Sequence, residues 1–467
     1  MSRNIYDIDP AGNVLCTYNG ESQESLRAHQ TKLPPLHALL NAFLPAGYPH
    51  SVHPDYLPYQ TYDSLQAFFS SISSLLANRA VLEGLGVGDA SSSPTAALIL
   101  KIASDTIARF ATILFAHRLG TAIEPECKSF RFLADLLNDA AQLLDLVMPA
   151  MVERYGLKMV VVVGSGVLRS WCGVAAGASK ASLSAHFVTR GSSLGELNAK
   201  EASQETVVSL LGMLVGSLVV KEVQDRQVVW VLMVGLLGVH LLMNYWGVRS
   251  VRCRTLNRQR ATMVVRSWLE NGKVLGPEEV RKRESILQLR TGFGRMASKS
   301  GEYTGTCEFG TYGDVKALKG WKGGYHGYEF ETEGYFMGIC HRGGNFCMRI
   351  ALKEEEEEGQ EKKTSTDARA NSPLEAWFDA VSHAYHFDSA LKDGLESHYE
   401  NEVPLLGYTS EEQKGTVFAA LAAAGWDLET NALETRSPVR VRVGDGKKVP
   451  IPSEKDLIRQ SQVSKKD

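Results

Sequence analysis

Charge disappears from the chain between residues 228 and 248, where VVWVLMVGLLGVHLLMNYWGV runs for 21 residues without Asp, Glu, Lys or Arg. As a helix, this run is long enough to cross the hydrocarbon core of a bilayer. A second uncharged run covers residues 206–220, and the stretch between them, 221–227, carries two charges of each sign. The pattern predicts a membrane-spanning helical hairpin with a tight solvated turn. A hairpin buried inside a large soluble bundle is the competing reading, although soluble cores seldom hold an uncharged run of this length.

Helical spacing of apolar residues extends upstream. Leu65, Phe68, Phe69, Ile72, Leu75, Leu76 and Leu82 predict a helix over 62–82, and further helices are expected over 95–119, 124–148 and 158–188. In the last of these, Gly173, Gly177 and Ala181 stand four apart, which lets helix backbones approach closely. Ahead of the helices, Pro45, Pro49, Pro54 and Pro58 exclude a continuous helix and set a fixed, extended clamp.

Past residue 255 the chain turns polar. An amphipathic helix is expected over 258–271 and another from Pro277 to about residue 288; short strands over 328–332, 334–340 and 345–352 suggest a small antiparallel sheet. Helices resume over 373–391 and 410–424, and 439–443 reads as a last strand. The resulting division is a flexible arm (1–40), a helical membrane domain (41–255), helices with a small sheet (256–352), a charged linker (353–372), helices and a strand completing the α+β domain (373–453), and a disordered tail (454–467). The fold class expected is mainly α, a helical membrane bundle followed by a small α+β C-terminal domain.

Composition narrows the partners. With 44% hydrophobic residues and a net charge of −3, bulk electrostatics gives no reason to expect nucleic acid. Arg249, Arg252, Arg254, Arg258, Arg260 and Arg266 follow the hairpin, which places the C-terminal domain in the cytosol and suggests anionic lipid headgroups as their partners. Seven cysteines without a CxxC spacing argue against a disulfide framework. Cys307, Cys340, His341 and Cys347 lack a usual zinc spacing and read better as strand residues, so neither metal nor cofactor is expected. The N-terminus offers neither a signal-type apolar region nor an Arg-rich transit pattern, so insertion is expected through an internal segment.

Polar residues inside the apolar half are the candidate site. Ala77-Asn78-Arg79-Ala80-Val81-Leu82 returns as Ala178-Ser179-Lys180-Ala181-Ser182-Leu183, and Lys101-Ile102-Ala103-Ser104-Asp105 returns as Lys200-Glu201-Ala202-Ser203-Gln204, at offsets of 101 and 99. Two repeats of three helices, inverted if all cross a membrane, would produce this; chance matching in Ala- and Ser-rich helices would too. The repeat brings Arg79, Asp89, Lys101, Asp105, Arg109, Asn138, Asp139, Lys200, Gln204, Glu205, His240 and Asn244 forward as a polar bundle interior. Lys101, Asp105 and Arg109, spaced i, i+4, equally fit a solvated stripe. His240 and Asn244 fit hydrogen bonds across helices, with a packing histidine the leading reading for His240 and a proton relay the other.

Several blocks resemble the root UVB sensitive family. They are Phe43-Leu44-Pro45, Gly47-Tyr48-Pro49, Asp55-Tyr56-Leu57, Tyr59-Gln60, Asp63-Ser64-Leu65-Gln66, Arg79-Ala80-Val81-Leu82, Gly86-Val87-Gly88-Asp89, Ala134-Asp135, Asn138-Asp139, Lys200, Ser203-Gln204-Glu205-Thr206, His240, Asn244-Tyr245 and Val248-Arg249. Asn78, Thr106 and Ala108 depart from the family pattern. The resemblance implies a link to UVB response and vitamin B6 homeostasis, with no settled reaction or ligand. No P-loop, HExxH, GxSxG or dinucleotide fingerprint is present, so no enzyme is expected. The function expected is a membrane protein that carries or senses a small polar solute, alone, as a homo-oligomer or as a hetero-oligomer with another family member; an anchored regulatory scaffold is the alternative.

Overall fold

The computed structural model describes residues 3–8, 14–20, 27–30, 43–86, 94–151, 155–189, 193–287, 295–297, 303–319, 326–342, 345–354, 372–392 and 410–443. The chain forms two units, one from Met1–Gly294 with Thr409–Ser437 and the other from Arg295–Tyr408 with Pro438–Asp467.

The first unit is built on six long helices: α1 (Tyr56–Gly84), α2 (Pro94–Ile123), α3 (Cys127–Val147), α4 (Tyr155–Phe187), α5 (Leu194–Glu222) and α6 (Arg226–Ser250). Three of them are long and apolar enough to cross a membrane, over Gly156–Phe187, Leu194–Glu222 and Arg226–Ser250. The expected hairpin is α5 with α6. Its turn ends at Asp225, whose carboxylate accepts from the amides of Gln227 and Val228 at 2.9 and 3.0 Å and so satisfies two N–H groups that the first turn leaves open. Alpha-helix 1 starts earlier than the prolines suggest, because Pro58 lies in its first turn, where no amide hydrogen is needed. The clamp is confined to the residues before it: His53 N–H donates to the Phe187 carbonyl at 2.8 Å, and Val52 bridges Val188.

Packing follows a simple scheme. Helix α1 runs along α5 and α6, α4 runs along α2 and α3, and α3 meets α6. The α1–α5 crossing is tight because Gly212 gives it room: a Cβ there would lie 2.7 Å from the Phe68 carbonyl oxygen. At the α2–α4 crossing, Trp171 Nε1 donates to the Ala111 carbonyl at 3.1 Å. Buried apolar clusters fill the joints, with Leu76, Ala77, Ala80, Leu146, Met233 and Leu237 joining α1, α3 and α6.

Two short helices follow, α7 (Arg258–Asn271), capped by Asn257 and ended by Gly272 at φ 66°, and α8 (Pro277–Arg283). Helix α8 has proline in its first turn, as its sequence predicts. The N-terminal arm is not featureless. Strands β1 (Arg3–Ile8), β2 (Val14–Gly20) and β3 (Arg27–Gln30) form an antiparallel sheet, for which β-branched and aromatic residues such as Val14, Thr17 and Tyr18 are suited.

The second unit carries β4 (Arg295–Ala297), β5 (Tyr303–Phe309), α9 (Tyr312–Lys319), β6 (His326–Glu331), β7 (Tyr335–Arg342), β8 (Asn345–Lys353), α10 (Ser372–Lys392) and β9 (Arg440–Val441). Strand order is β4-β5-β8-β7-β6, with β9 pairing β8. The sheet is mixed and not purely antiparallel: β5 and β9 both run parallel to β8. A Gly- and Lys-rich stretch around residue 305 hid β5 from a pattern-based reading. Trp377 of α10 stacks on Phe309 at 5.9 Å, fixing that helix on the sheet. Cys307, Cys340 and Cys347 are strand residues, as their spacing suggested.

Residues 373–453 do not stay together. Helix α11 (Glu411–Ala423), capped by Ser410, belongs with the first unit: Trp426 Nε1 donates to the Leu275 carbonyl at 2.8 Å, and Arg258 Nε to the Leu433 carbonyl at 2.7 Å. The tail over 454–467 and most of the linker lie outside the described residues.

Candidate functional site

Polar groups meet where α1, α3 and α6 converge. Arg131 is the hub: Nη2 donates to Asp63 Oδ1 at 2.8 Å, Nη1 to Asp135 Oδ1 at 3.0 Å, and Nε reaches the Tyr59 hydroxyl at 3.4 Å. Asp135 Oδ2 also accepts close hydrogen bonds from Gln66 and Asn244. One turn along α3, Asp139 pairs with His240 Nδ1 at 3.0 Å. The spacing explains the geometry, since Arg131, Asp135 and Asp139 stand four apart and share one face of α3.

All these side chains are buried, so their charges survive only because each is paired and hydrogen-bonded. Two carboxylates, Asp63 and Asp135, hold the one guanidinium, and a third, Asp139, is held by His240. Lys180 of α4 adds a second cation, 3.8 Å from Asp63 and 2.9 Å from Glu205 of α5. Beside this rim lies a hydroxyl-rich groove of about 250 Å³ between α1 and α5, lined by Ser70, Ser71, Ser74, Asn78, Glu205 and Ser209 among others. Its walls offer neutral donors and acceptors together with one carboxylate, chemistry suited to a small polar solute.

The residues singled out from the sequence separate into groups. Asp139, His240 and Asn244 are in the buried centre. Gln204 of α5 donates through Nε2 to the Phe43 carbonyl at 2.6 Å and reaches the Tyr56 hydroxyl at 3.4 Å, and Glu205 is at the groove. Arg79 pairs with Glu83 and donates to the Val220 and Val223 carbonyls, closing the end of α5. Asn138 and Lys200 are half-buried at the edges. Lys101, Asp105 and Arg109 are corrected outright: they are exposed, with Lys101 and Asp105 paired at 2.8 Å on the outer side of α2. The α2 face that packs on α4 carries Ser104 instead, leaving the charged stripe outside. Asp89 lies outside the described residues.

Asp63, Gln66, Arg131 and Asp135 were missed as site residues. Their helix period was visible, and Asp63, Gln66 and Asp135 stand inside family blocks, but a charged stripe on an amphipathic helix reads first as solvated.

A second ionic cluster sits beyond the hairpin. Glu284 accepts from Arg260 Nε at 2.8 Å and from Lys128 Nζ at 2.6 Å, all three side chains nearly inaccessible. Burial disfavours the Glu284 carboxylate, but the two cations overcome it and bring its pKa down to about 2. Nearby Glu126 is pushed up to about 7, chiefly by burial, with Arg260 and the Asn257 amide opposing. The arginine run is therefore a protein-facing feature. Arg258 and Arg260 are buried, Arg252 holds Asp55, Arg254 holds the Gly425 carbonyl, Arg249 the Lys282 carbonyl and Arg266 pairs with Glu270.

The sequence reading expected no metal site, and the spacing of residues gave no hint of one. Among the described residues, one group has metal-ligand geometry: His53, Asp55 and His186, whose donor atoms all lie within 4.8 Å of one another.

Comparison with known proteins places this geometry in a lineage. The vitamin B6 photo-protection and homoeostasis domain matches residues 29–272, more than half of the chain and all of the polar centre. RUS family member 1 of Dictyostelium discoideum is 37% identical over 253 residues, covering 53% of this chain and 47% of that protein. Protein root UVB sensitive 3 of Arabidopsis thaliana is 33% identical over 252 residues, covering 54% and 56%. The chloroplastic root UVB sensitive 2 of the same plant is 29% identical over 259 residues, covering 54% and 56%. The chain thus spans about half the length of these curated relatives. No solved structure matches. The domain match and these relatives agree with the blocks read from the sequence: the chain belongs to the root UVB sensitive family.

Proposed function

We propose that this chain is a membrane-embedded helical bundle that carries or senses a small polar solute, bound at the serine-lined groove between α1 and α5. The observation that carries the reading is an inverted polarity of the bundle. Only 17, 11 and 22% of the apolar windows of α4, α5 and α6 are buried, while Arg131, Asp63, Asp135 and Asp139 are inside. Leu214, Leu218, Val231 and Val234 all stand more than half exposed. In water such a surface would drive association; in lipid it is the ordinary outer face of a bundle. The segment after Arg249 is then cytosolic, and the family's description makes vitamin B6 compounds the first solutes to try.

The packing scheme supports an internal repeat. Exchanging α1, α2 and α3 for α4, α5 and α6 turns the α1–α5 and α1–α6 contacts into those of α4 with α2 and α3. The crossing of Ser71 with Gly212 corresponds, at close to the sequence offsets, to that of Trp171 with Ala111. Repeats of three helices around a polar midpoint are an architecture of secondary transporters. The exposed face of α2, where Arg109 stands beside Phe110 and Ile113, suits a protein neighbour, in line with an oligomer.

The alternative, an anchored scaffold without flux, is favoured by one observation: Arg131, Asp63, Asp135, Gln66 and Asn244 satisfy one another and fill the centre themselves. Neither reading assigns a reaction. Reconstituted vesicles separate them. Pyridoxine uptake by the wild type, lost in Glu205→Gln and kept in Asp105→Ala, would support the carrier; a folded wild type with no uptake would favour the scaffold. Release of the chain from membranes by alkaline carbonate, without detergent, would sink both.

A further inference from the structure

We infer that His53, Asp55 and His186 form a binding site for a divalent transition-metal ion of the zinc type. The site sits where the clamp meets the C-terminal end of α4, apart from the Arg131 centre, and it does not depend on the solute reading. His53 and Asp55 flank Pro54 just before α1, whereas His186 comes from the last turn of α4. The Val52–Val188 bridge and the bond from His53 N–H to the Phe187 carbonyl hold the two segments together.

Two distances favour a metal over plain hydrogen bonds. His53 Nδ1 lies 3.3 Å and His186 Nε2 3.4 Å from the same oxygen, Asp55 Oδ2. Charge-assisted bonds from imidazolium to carboxylate are shorter, about 2.7–2.9 Å. Ligands on a tetrahedral zinc ion with bonds of about 2.0–2.1 Å stand about 3.3–3.4 Å apart along each edge. The two nitrogen–oxygen separations match two of a tetrahedron's edges.

The lone pairs point the same way. A carboxylate oxygen accepts through two of them, and the Arg252 amide already takes one on Oδ2 at 2.6 Å. One position is left for two imidazoles, which a single bridging cation can serve and two N–H donors cannot. The Asp55 amide donates a long, 3.3 Å bond to His53 Nδ1, so this nitrogen is an acceptor, and a bound ion would replace that bond at the ring's single in-plane lone pair. The imidazole ring centroids lie 4.6 Å apart, with the rings tilted 50° to one another.

Surroundings complete the site. Arg252 Nε donates to Asp55 Oδ1 at 2.6 Å and fixes the carboxylate's orientation, the outer-shell role that tunes bound metals. His53 and His186 keep 23 and 13% of their side-chain surface exposed, so an ion can enter and a fourth position is open to water or another donor. Two imidazoles and one carboxylate suit zinc, cobalt or iron(II) and not calcium or magnesium.

Cobalt(II) tests the site directly. The full chain, purified in detergent and stripped with a chelator, is titrated with Co²⁺ and followed by the visible absorption of four-coordinate cobalt. One ion per chain is expected, displaced by Zn²⁺ and not by Mg²⁺. His53→Ala and His186→Ala should each weaken binding at least about tenfold, while His50→Ala, an exposed neighbour, leaves it unchanged. Far-UV circular dichroism and gel filtration confirm folding of each variant, and His53→Gln serves if His186→Ala does not fold. No cobalt retained by the wild type, or equal retention in a folded His53→Ala, would overturn the assignment and leave His–Asp hydrogen bonds only.

Discussion

His240 on α6 and Asp139 on α3 are hydrogen-bonded at 3.0 Å and lie 101 positions apart. That separation equals one of the two offsets at which the first helices resemble the later ones. In the proposed repeat these two residues are therefore counterparts, and counterparts that touch must lie at the pseudo-twofold axis. On that proposal the pair would mark the bundle's midpoint. Removing either member leaves its partner buried and unbalanced, at a cost of about 3–5 kcal/mol. In a double-mutant cycle in detergent, Asp139→Leu with His240→Leu should lose about 1–3 kcal/mol less stability than the two single changes added together. Additive losses would show that the pair is not coupled.

Gly212 and Gly235 provide a matched comparison on neighbouring helices. A Cβ at 212 meets the Phe68 carbonyl oxygen at 2.7 Å, whereas at 235 nothing lies within 4 Å. Gly212→Ala should force α1 and α5 apart and destabilise by about 1–3 kcal/mol. Gly235→Ala should raise stability by about 0.5–1 kcal/mol through helix propensity alone. Thermal unfolding of both variants reads the difference, and equal melting temperatures would contradict the close approach.

The ionic cluster beyond the hairpin should be sensitive to the loss of its acid. Glu284→Gln leaves Arg260 and Lys128 buried without their counter-charge. Breaking a buried pair in this way costs about 3–5 kcal/mol. Chemical denaturation at neutral pH should show that loss, and it should shrink without vanishing when Lys128→Met is added, since Arg260 then remains without Glu284.

Glu126 makes stability depend on pH in the opposite sense. Its pKa of about 7 in the folded chain stands above the ordinary value of 4.5, so the folded chain binds a proton more tightly than the unfolded chain. This contribution is full below pH 4.5, falls as pH rises and is gone above about 7. Arg260, Arg258 and Glu284 set the local field throughout that range. Relative to Glu126→Gln, the wild type should lose on the order of 2–3 kcal/mol between pH 4.5 and 8. Parallel stability profiles for the two proteins would argue that Glu126 is charged across the range.

Much of this architecture could be read before any coordinates. The hairpin was visible because two uncharged runs flank a charged turn, and α5 and α6 appear where those runs lie. Asp139, His240 and Asn244 were recognisable as polar residues on apolar helices. Arg131 was not, because its partners Asp63 and Asp135 lie 68 and 4 positions away and only tertiary packing shows that all three are dry. The same ambiguity misplaced Lys101 and Asp105, where i, i+4 spacing fits either face of a helix. His53 and His186 stand far apart in the chain, so no local spacing could pair them. Strands β1 to β3 were overlooked for a different reason: segments of four to seven residues set among polar turn formers read as coil until their backbones are paired.

The return of residues 409–437 to the first unit carries a consequence for synthesis. Trp426 joins the Leu275 carbonyl across 151 positions. When α8 leaves the ribosome, the helical unit is therefore still incomplete, and it remains so until the whole inserted sheet has been translated. A premature stop within that insert would do more than delete the sheet: it would release a nascent bundle with a permanently open seam, a natural target for quality-control proteases.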